Sequence, residues 1–233
     1  MENQTIKEKL EQKGYTVSVF DTAAKAVEYL RETVEGQTIG FGGSVTLAQM
    51  DLKNVLAEKN TMLVSDKPAV GDSFRTTAIA AMTADLYFLS ANAVSDEGEI
   101  VNVDGTCNRI SGSLFGHKKV YYVISTDKIG GTLEQAIERA RNYAAPRNAI
   151  RLGRETPCAL AVKDRLEAAY RKQYGEDRSK WADFIGSLTE EELGTHCYDC
   201  QSPQRICSSV LVHLKRPNSC PAEVILIREP LGY

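Results

Sequence analysis

Apolar positions along this chain switch between two spacings. Short continuous or alternating runs mark strands, and recurrences every three to four residues mark helices. Residues 3–13 read as a short amphipathic helix stopped at Gly14, and 15–20 as a strand. Asp21 then stands as an N-cap before Ala24, Val27, Leu30 and Val34, which recur at helical spacing until Gly36. The next strand, 38–41, runs into Gly42-Gly43-Ser44, and a helix is predicted from there to residue 59, broken near Asp51. Strands at 61–65 and 86–90 flank a small-residue helix at 76–84, which must pack closely. The segment 92–116 is rich in Gly, Asn, Asp and Ser and holds one strand, 99–103. A strand at 119–125 and a helix at 133–143 follow, then a charged amphipathic helix at 159–174 and one or two short helices over 181–193. Two closing strands, 209–214 and 223–228, are separated by Pro217 and Pro221, which places both at a sheet edge.

Strands alternating with helices predict βαβ units: an α/β fold with a mostly parallel sheet and helices on both faces. The length suits a single domain over 1–233, within which 159–196 is a helical insertion and 197–207 a cysteine motif. Composition changes this picture little, with 42% apolar and 25% charged residues. A net charge of -3 gives no electrostatic reason to expect a nucleic-acid partner. No apolar run is long enough to span a bilayer and the opening residues lack a signal core, so a cytoplasmic location is expected. In that reducing setting six cysteines read as thiols, metal ligands or redox groups rather than disulfides.

Three stretches carry chemistry. Gly42-Gly43-Ser44, at the end of a strand and the start of a helix, exposes backbone N–H groups and a hydroxyl to an anion such as phosphate or carboxylate. A tight turn that merely needs glycine is the plainer reading. It is neither a dinucleotide fingerprint nor a Walker A loop. The second stretch, 90–109, follows the most apolar strand and gathers Asn92, Asp96, Glu97, Asn102, Asp104, Asn108 and Arg109. Its arginine suits a carboxylate or phosphate, its carboxylates a general base, and Lys128 adds a cation to the same rim. Against this stands a solvated hairpin, since Asp-Gly pairs form turns. The third stretch is Cys197-x2-Cys200-x6-Cys207, which with Cys158 supplies four sulfurs for one centre, iron–sulfur or zinc. His196 could replace one sulfur at zinc. Cys107 and Cys220 read as small packing side chains, and His117 and His213 show no obvious partner.

These residues resemble the LUD (lactate utilisation, formerly domain of unknown function 162) family. The resemblance rests on Gly40-Phe41-Gly42-Gly43-Ser44-Val45-Thr46-Leu47, on Ala91-Asn92-Ala93-Val94 with Asp96 and Gly98, and on Asn108-Arg109 and Lys128-Ile129. Arg141-Asn142, Ala145-Pro146, Asn148, Pro157-Cys158, the tail through Cys207 and the run Leu231-Gly232-Tyr233 extend it over the whole chain. It implies a fold like the coenzyme-A transferase and ribose-5-phosphate isomerase superfamily. It also implies a pocket flanked by the glycine loop and the loop after the central strand. Some members of the family act with iron–sulfur partner subunits in oxidising L-lactate. Two features depart from the family: no ferredoxin-like cysteine repeats are present, and a helical insertion separates Cys158 from Cys197. No residue matches the catalytic glutamate of the transferases.

The leading expectation is a LUD-type protein. It would bind a small anionic metabolite through Gly42, Gly43, Ser44, Asn92, Asn108, Arg109 and Lys128. Cys158, Cys197, Cys200 and Cys207 would hold a [4Fe–4S] cluster, or zinc in its place. Iron–sulfur partner subunits and a homo-oligomer are compatible with it. Two alternatives stand beside it. One is a phosphosugar isomerase or hydrolase using Asp96, Glu97 or Asp104 as base. The other is a non-enzymatic metabolite-binding subunit with a structural zinc.

Overall fold

The computed structural model describes residues 2–64 and 71–233. Helix α1 (Glu2–Gln12) leads to β1 (Thr16–Phe20) and α2 (Ala23–Thr33). Thr22, not Asp21, caps α2: its side chain accepts from the Lys25 N–H, while Asp21 pairs instead with Lys25 and Arg228. Strand β2 (Thr38–Phe41) then gives α3 (Val45–Gln49) and α4 (Leu52–Ala57), separated where Asp51 turns left-handed at φ 50°. After β3 (Thr61–Val64) come α5 (Phe74–Ala81), β4 (Leu86–Leu89), β5 (Ala93–Val94), β6 (Ile100–Asp104) and α6 (Asn108–Gly112). Ser65, the last residue of the predicted third strand, lies outside the described residues.

Strand β7 (Lys119–Ser125) ends in a single 3-10 turn, Thr126–Lys128. Helix α7 (Leu133–Glu138) does not stop at residue 143. It widens into a π turn (Arg139–Ala144) and continues as α8 (Ala145–Arg151). The cause is Pro146, which has no N–H for the Asn142 carbonyl and whose ring crowds that carbonyl. The predicted insertion becomes α9 (Pro157–Leu160), α10 (Lys163–Tyr174), α11 (Trp181–Ser187) and α12 (Glu190–Leu193). Strands β8 (Ser209–His213) and β9 (Ala222–Ile227) follow.

Six strands form one parallel sheet in the order β1-β9-β7-β4-β2-β3. Three more, β5-β6-β8, form a small antiparallel sheet. The expectation that both closing strands are edges holds for β8 only. β9 lies between β1 and β7, buried along its whole length. Its prolines do not oppose this. Pro221 immediately precedes the strand and needs only its carbonyl, which accepts from the Val120 N–H at 2.9 Å.

Two apolar layers cover the large sheet. Tyr87, Leu89, Tyr122, Val224 and Leu226 face Ile6 and Leu10 of α1. Phe41, Phe88, Val123 and Ile225 face Leu30 of α2, Leu47 of α3 and Leu56 of α4. A third cluster joins α8 to the helical lobe α9–α12, where Tyr170, Trp181, Phe184 and Ile185 are buried together. Arg147, with no exposed surface, ties this lobe to the π turn. It stacks 3.6 Å over the Tyr143 ring and donates to the Leu188 carbonyl at 2.7 Å. Among the described residues no helix is long and apolar enough to cross a membrane.

Candidate functional site

The segments that leave the carboxyl ends of β2, β4 and β7 bring Ser44, Ser90 and Lys128 to one cavity of about 710 Å³. This is the end of a parallel sheet where ligands bind, because loops there diverge around the strand order's reversal. The far wall comes from α8 (Asn148, Arg151), the helical lobe (Ala182, Asp183), and Arg205 and Ile206 of the cysteine segment. Its cations are Arg109, Lys128, Arg151, Arg154 and Arg205, against two carboxylates, Asp104 and Asp183. That imbalance favours an anion.

Lys128, expected as a further cation at the rim, is instead buried, with 2% of its surface exposed. Its ammonium donates to Thr46 Oγ1 at 2.7 Å and Ser90 Oγ at 3.4 Å, and none of the described ion pairs involves it. Burial, with Arg139 and Arg109 nearby and Asp127 opposing, pulls its pKa down to about 7. Leu231 and Gly232 pass over this group: a Cβ at Gly232 would meet Thr46 Oγ1 at 2.4 Å and Lys128 Nζ at 2.9 Å.

In the glycine loop, Gly43 and Ser44 line the cavity and Gly42 does not. Gly42 serves Arg109 instead, since a Cβ there would press on the arginine stem at 3.0–3.4 Å. Ser44 spends its hydroxyl on capping α3, accepting from the Leu47 N–H. With only five residues in α3, the helix dipole expected to draw an anion is short, so the charged side chains must supply most of the attraction. Arg109 donates to the Val103 carbonyl at 2.5 Å and holds Nε 3.5 Å from Asp104 Oδ2. Asn108 lines the cavity with its side chain bonded to Thr106 Oγ1, and Asn92 accepts from the Val103 N–H.

The three candidate bases separate. Asp104 lines the cavity, but its two oxygens accept from the N–H groups of Thr106, Cys107, Arg109 and Ile110. It is the acceptor that starts α6. Asp96 and Glu97 are exposed and lie off the cavity. Asp96 accepts from Gly131 N at 3.0 Å, and Glu97 pairs with Lys9 at 2.7 Å. His213, thought partnerless, is buried with its Nε2 3.0 Å from Tyr122 OH and 3.1 Å from Ser113 Oγ. Burial drops its pKa to about 4.

Cys158, Cys197, Cys200 and Cys207 line one small cavity with Arg141 and Arg205. The lobe α9–α12 is a helical excursion that returns the chain to its start, as shown by Thr195 Oγ1 donating to the Cys158 carbonyl at 3.0 Å. Asn142, presented by the π turn, accepts from the Cys197 N–H at 2.8 Å. Arg205 stitches the loop: Nη1 to the Cys200 carbonyl, Nε to the Cys207 carbonyl, Nη2 to Asp199 at 2.7 Å. Burial pushes the Cys158 and Cys207 thiols up. His196 stacks on Tyr198 and lies off this cavity. Among the described residues no three His, Cys, Asp or Glu side chains stand where they could hold a single metal ion. The donor chemistry nonetheless suits a thiolate-bound centre: four sulfurs, no carboxylate among them, and two guanidiniums to offset thiolate charge.

The two cavities share a wall, since Ala145, Arg205 and Ile206 line both. Gly105 allows the close approach: a Cβ there would sit 2.9 Å from the Arg205 carbonyl. Lining the larger cavity but not expected there from the sequence are Arg151, Arg154 and Arg205, together with Thr46, Ser90 and Tyr233, which the motifs contained without assigning them a ligand role. Arg205 had a signal, as a cation inside the cysteine motif. The others are ordinary residues gathered by the fold.

Fold and site together define an α/β domain with an anion-suited cavity at the carboxyl ends of its strands and a thiol cluster beside it. The family model described as the LUD domain matches residues 4–213, and the chain belongs to the LUD domain family. It is similar to a solved structure described as a DUF162 family protein from Deinococcus radiodurans. The identity is 11%, over 97% of this chain and 96% of that one, with a TM-score of 0.47. No curated protein matches.

Proposed function

We propose that this LUD-domain protein binds a small anionic metabolite, a hydroxy acid such as lactate or a sugar phosphate, in the 710 Å³ cavity. A four-cysteine iron–sulfur or zinc centre sits beside it, in lactate utilisation or related redox metabolism. The observation that carries this reading is the shared wall: Arg205 lines the cationic cavity and stitches the cysteine segment. Cys158, Cys197, Cys200 and Cys207 would hold the centre. An iron–sulfur cluster would supply one-electron chemistry, and zinc would supply a staple for the tail.

A specific observation favours keeping zinc as the second reading. The free space among the sulfurs is about 10 Å³, so a cluster requires the 197–207 segment to open, whereas a single ion requires the sulfurs to draw together. The isomerase reading has less support, because Asp96 and Glu97 lie off the cavity and Asp104 is occupied as a cap.

Anaerobic purification followed by iron, sulfide and zinc analysis tests the centre. About four iron and four sulfide per chain is expected for the cluster, and one zinc without visible absorbance for the staple. Cys158→Ser should lower either load. A folded protein free of both metals removes this half of the proposal. Calorimetric titration with L-lactate and with a sugar phosphate tests the cavity, with binding weakened in Arg109→Gln.

A further inference from the structure

The anion-binding reading leaves one group in the cavity without a purpose that charge alone explains. An anion site gains most from a permanent cation, and arginines already supply four here. Lys128 instead sits beneath Leu231 and Gly232, and none of the described ion pairs involves it. Both of its described hydrogen bonds are to hydroxyl oxygens. Thr46 Oγ1 gives its own proton to the Leu231 carbonyl at 3.2 Å, so it can only accept from the lysine. Ser90 Oγ lies 3.4 Å away on the other contact. A neutral amine has two N–H bonds and one lone pair. Thr46 and Ser90 take the two N–H bonds, and the lone pair is left without a donor among the described contacts. An amine held this way, uncharged over part of the neutral pH range, is a nucleophile toward carbonyl carbon.

We infer that Lys128 captures the carbonyl carbon of an anionic aldehyde or ketone as a Schiff base, with the arginines of the same cavity holding the substrate's carboxylate or phosphate. This rests on the anion-binding reading of the cavity and adds the reacting group. The step balances without an oxidant or reductant. The Nζ lone pair forms a bond to the carbonyl carbon, and the carbonyl π pair moves to oxygen, which gains a proton from the amine. The second amine proton then leaves with that oxygen as water, giving a carbon–nitrogen double bond. Thr46 and Ser90 stand within hydrogen-bond reach of the nitrogen and are the positioning residues.

The test is borohydride trapping on the full chain, using glyoxylate as an oxo-carboxylate and dihydroxyacetone phosphate as an oxo-phosphate. Intact mass counts adducts and peptide mapping locates them. One reduced adduct on Lys128 is expected with at least one probe, and the probe that traps identifies carboxylate or phosphate as the recognised group. Trapping should be lost in Lys128→Arg, which keeps the charge, and its rate should rise several-fold as pH passes through 7. That rise depends on Asp127, Arg139 and Arg109, the charges that act on the amine. Wild-type mapping alone decides the matter if the variant fails to fold. Calorimetry on the same probes separates the two levels. Binding with no adduct on Lys128 from either probe, or adducts spread over surface lysines, overturns the Schiff-base inference and spares the anion site. Absence of binding by both probes overturns the anion site and this inference with it.

Discussion

Lys128 shows how burial turns an ordinary residue into a strained one. Its pKa in the folded chain, about 7, lies below the usual 10.5. Below pH 7 the folded protein must keep a buried ammonium, and the full penalty applies. Between pH 7 and 10.5 the unfolded chain still binds the proton that the folded one has released, so stability rises with pH and the penalty fades. Lys128→Met is therefore expected to stabilise the protein, by at most ~5 kcal/mol below pH 7, with the gain vanishing toward pH 10.5. Urea denaturation of both proteins across that range checks it, and a variant less stable at pH 6 than at pH 10 relative to wild type contradicts it. His213 acts in the same direction at lower pH. It is held neutral by burial, so stability is expected to fall as pH drops from 6.5 to 4. Replacing it with Gln should flatten that part of the profile.

At the scale of elements, α6 and the π turn do the positioning. Helix α6 begins on the Asp104 carboxylate and closes on Tyr87, where a Cβ at Gly112 would lie 2.4 Å from the ring. Both ends therefore control where Asn108 and Arg109 stand. Asp104→Asn exchanges an acceptor oxygen for a donor and should destabilise the protein by about 1–2 kcal/mol. Anion affinity should fall in step, because Arg109 loses its frame. A stable Asp104→Asn protein with unchanged affinity would return Asp104 to the role of a free carboxylate. Gly112→Ala overpacks the same contact and should cost about 1–3 kcal/mol in thermal or chemical denaturation. The π turn acts on the other cavity: it presents Asn142 to the Cys197 N–H and Arg141 to Asp199.

On the scale of the molecule, a sheet domain and a helical lobe meet around two cavities with a common wall. The lobe's core centres on Tyr170, packed edge-on against Trp181 and Phe184 at ring distances of 5.0 and 5.3 Å. Trp181→Ala should remove about 3–5 kcal/mol from this cluster. Hydrogen exchange is expected to accelerate over 157–207 while the parallel sheet keeps its protection. Uniform loss of protection would show instead that lobe and sheet unfold as one unit.

Much of the sheet was legible because buried parallel strands are short unbroken apolar runs. Residues 38–41 and 119–125 are read with the same bounds as β2 and β7. The break at Asp51 and short helical structure over 181–193 were visible from local signals in the same way. Position across the sheet was not legible. β9 has the flanking prolines of an edge strand, yet its neighbours β1 and β7 come from distant parts of the chain. The cysteines announced a common site by their chemistry alone. That Cys158 reaches the other three depends on a helical lobe folding back on itself, which no spacing reports. The candidate carboxylates were alike in chemistry; pairing with Lys9, accepting from the Gly131 N–H and starting α6 sorted them. Residue type, periodicity and turn chemistry act over a few neighbours, so the sequence by itself determined most strands, the longer helices and the fold class, and singled out the four cysteines; β5, α6 and α8 it did not show. Burial, charge balance and shared walls come from contacts between distant segments. Only the tertiary structure decided that Lys128 is buried with its pKa pulled down, that Asp104 is the acceptor that starts α6, and that Arg205 borders both cavities.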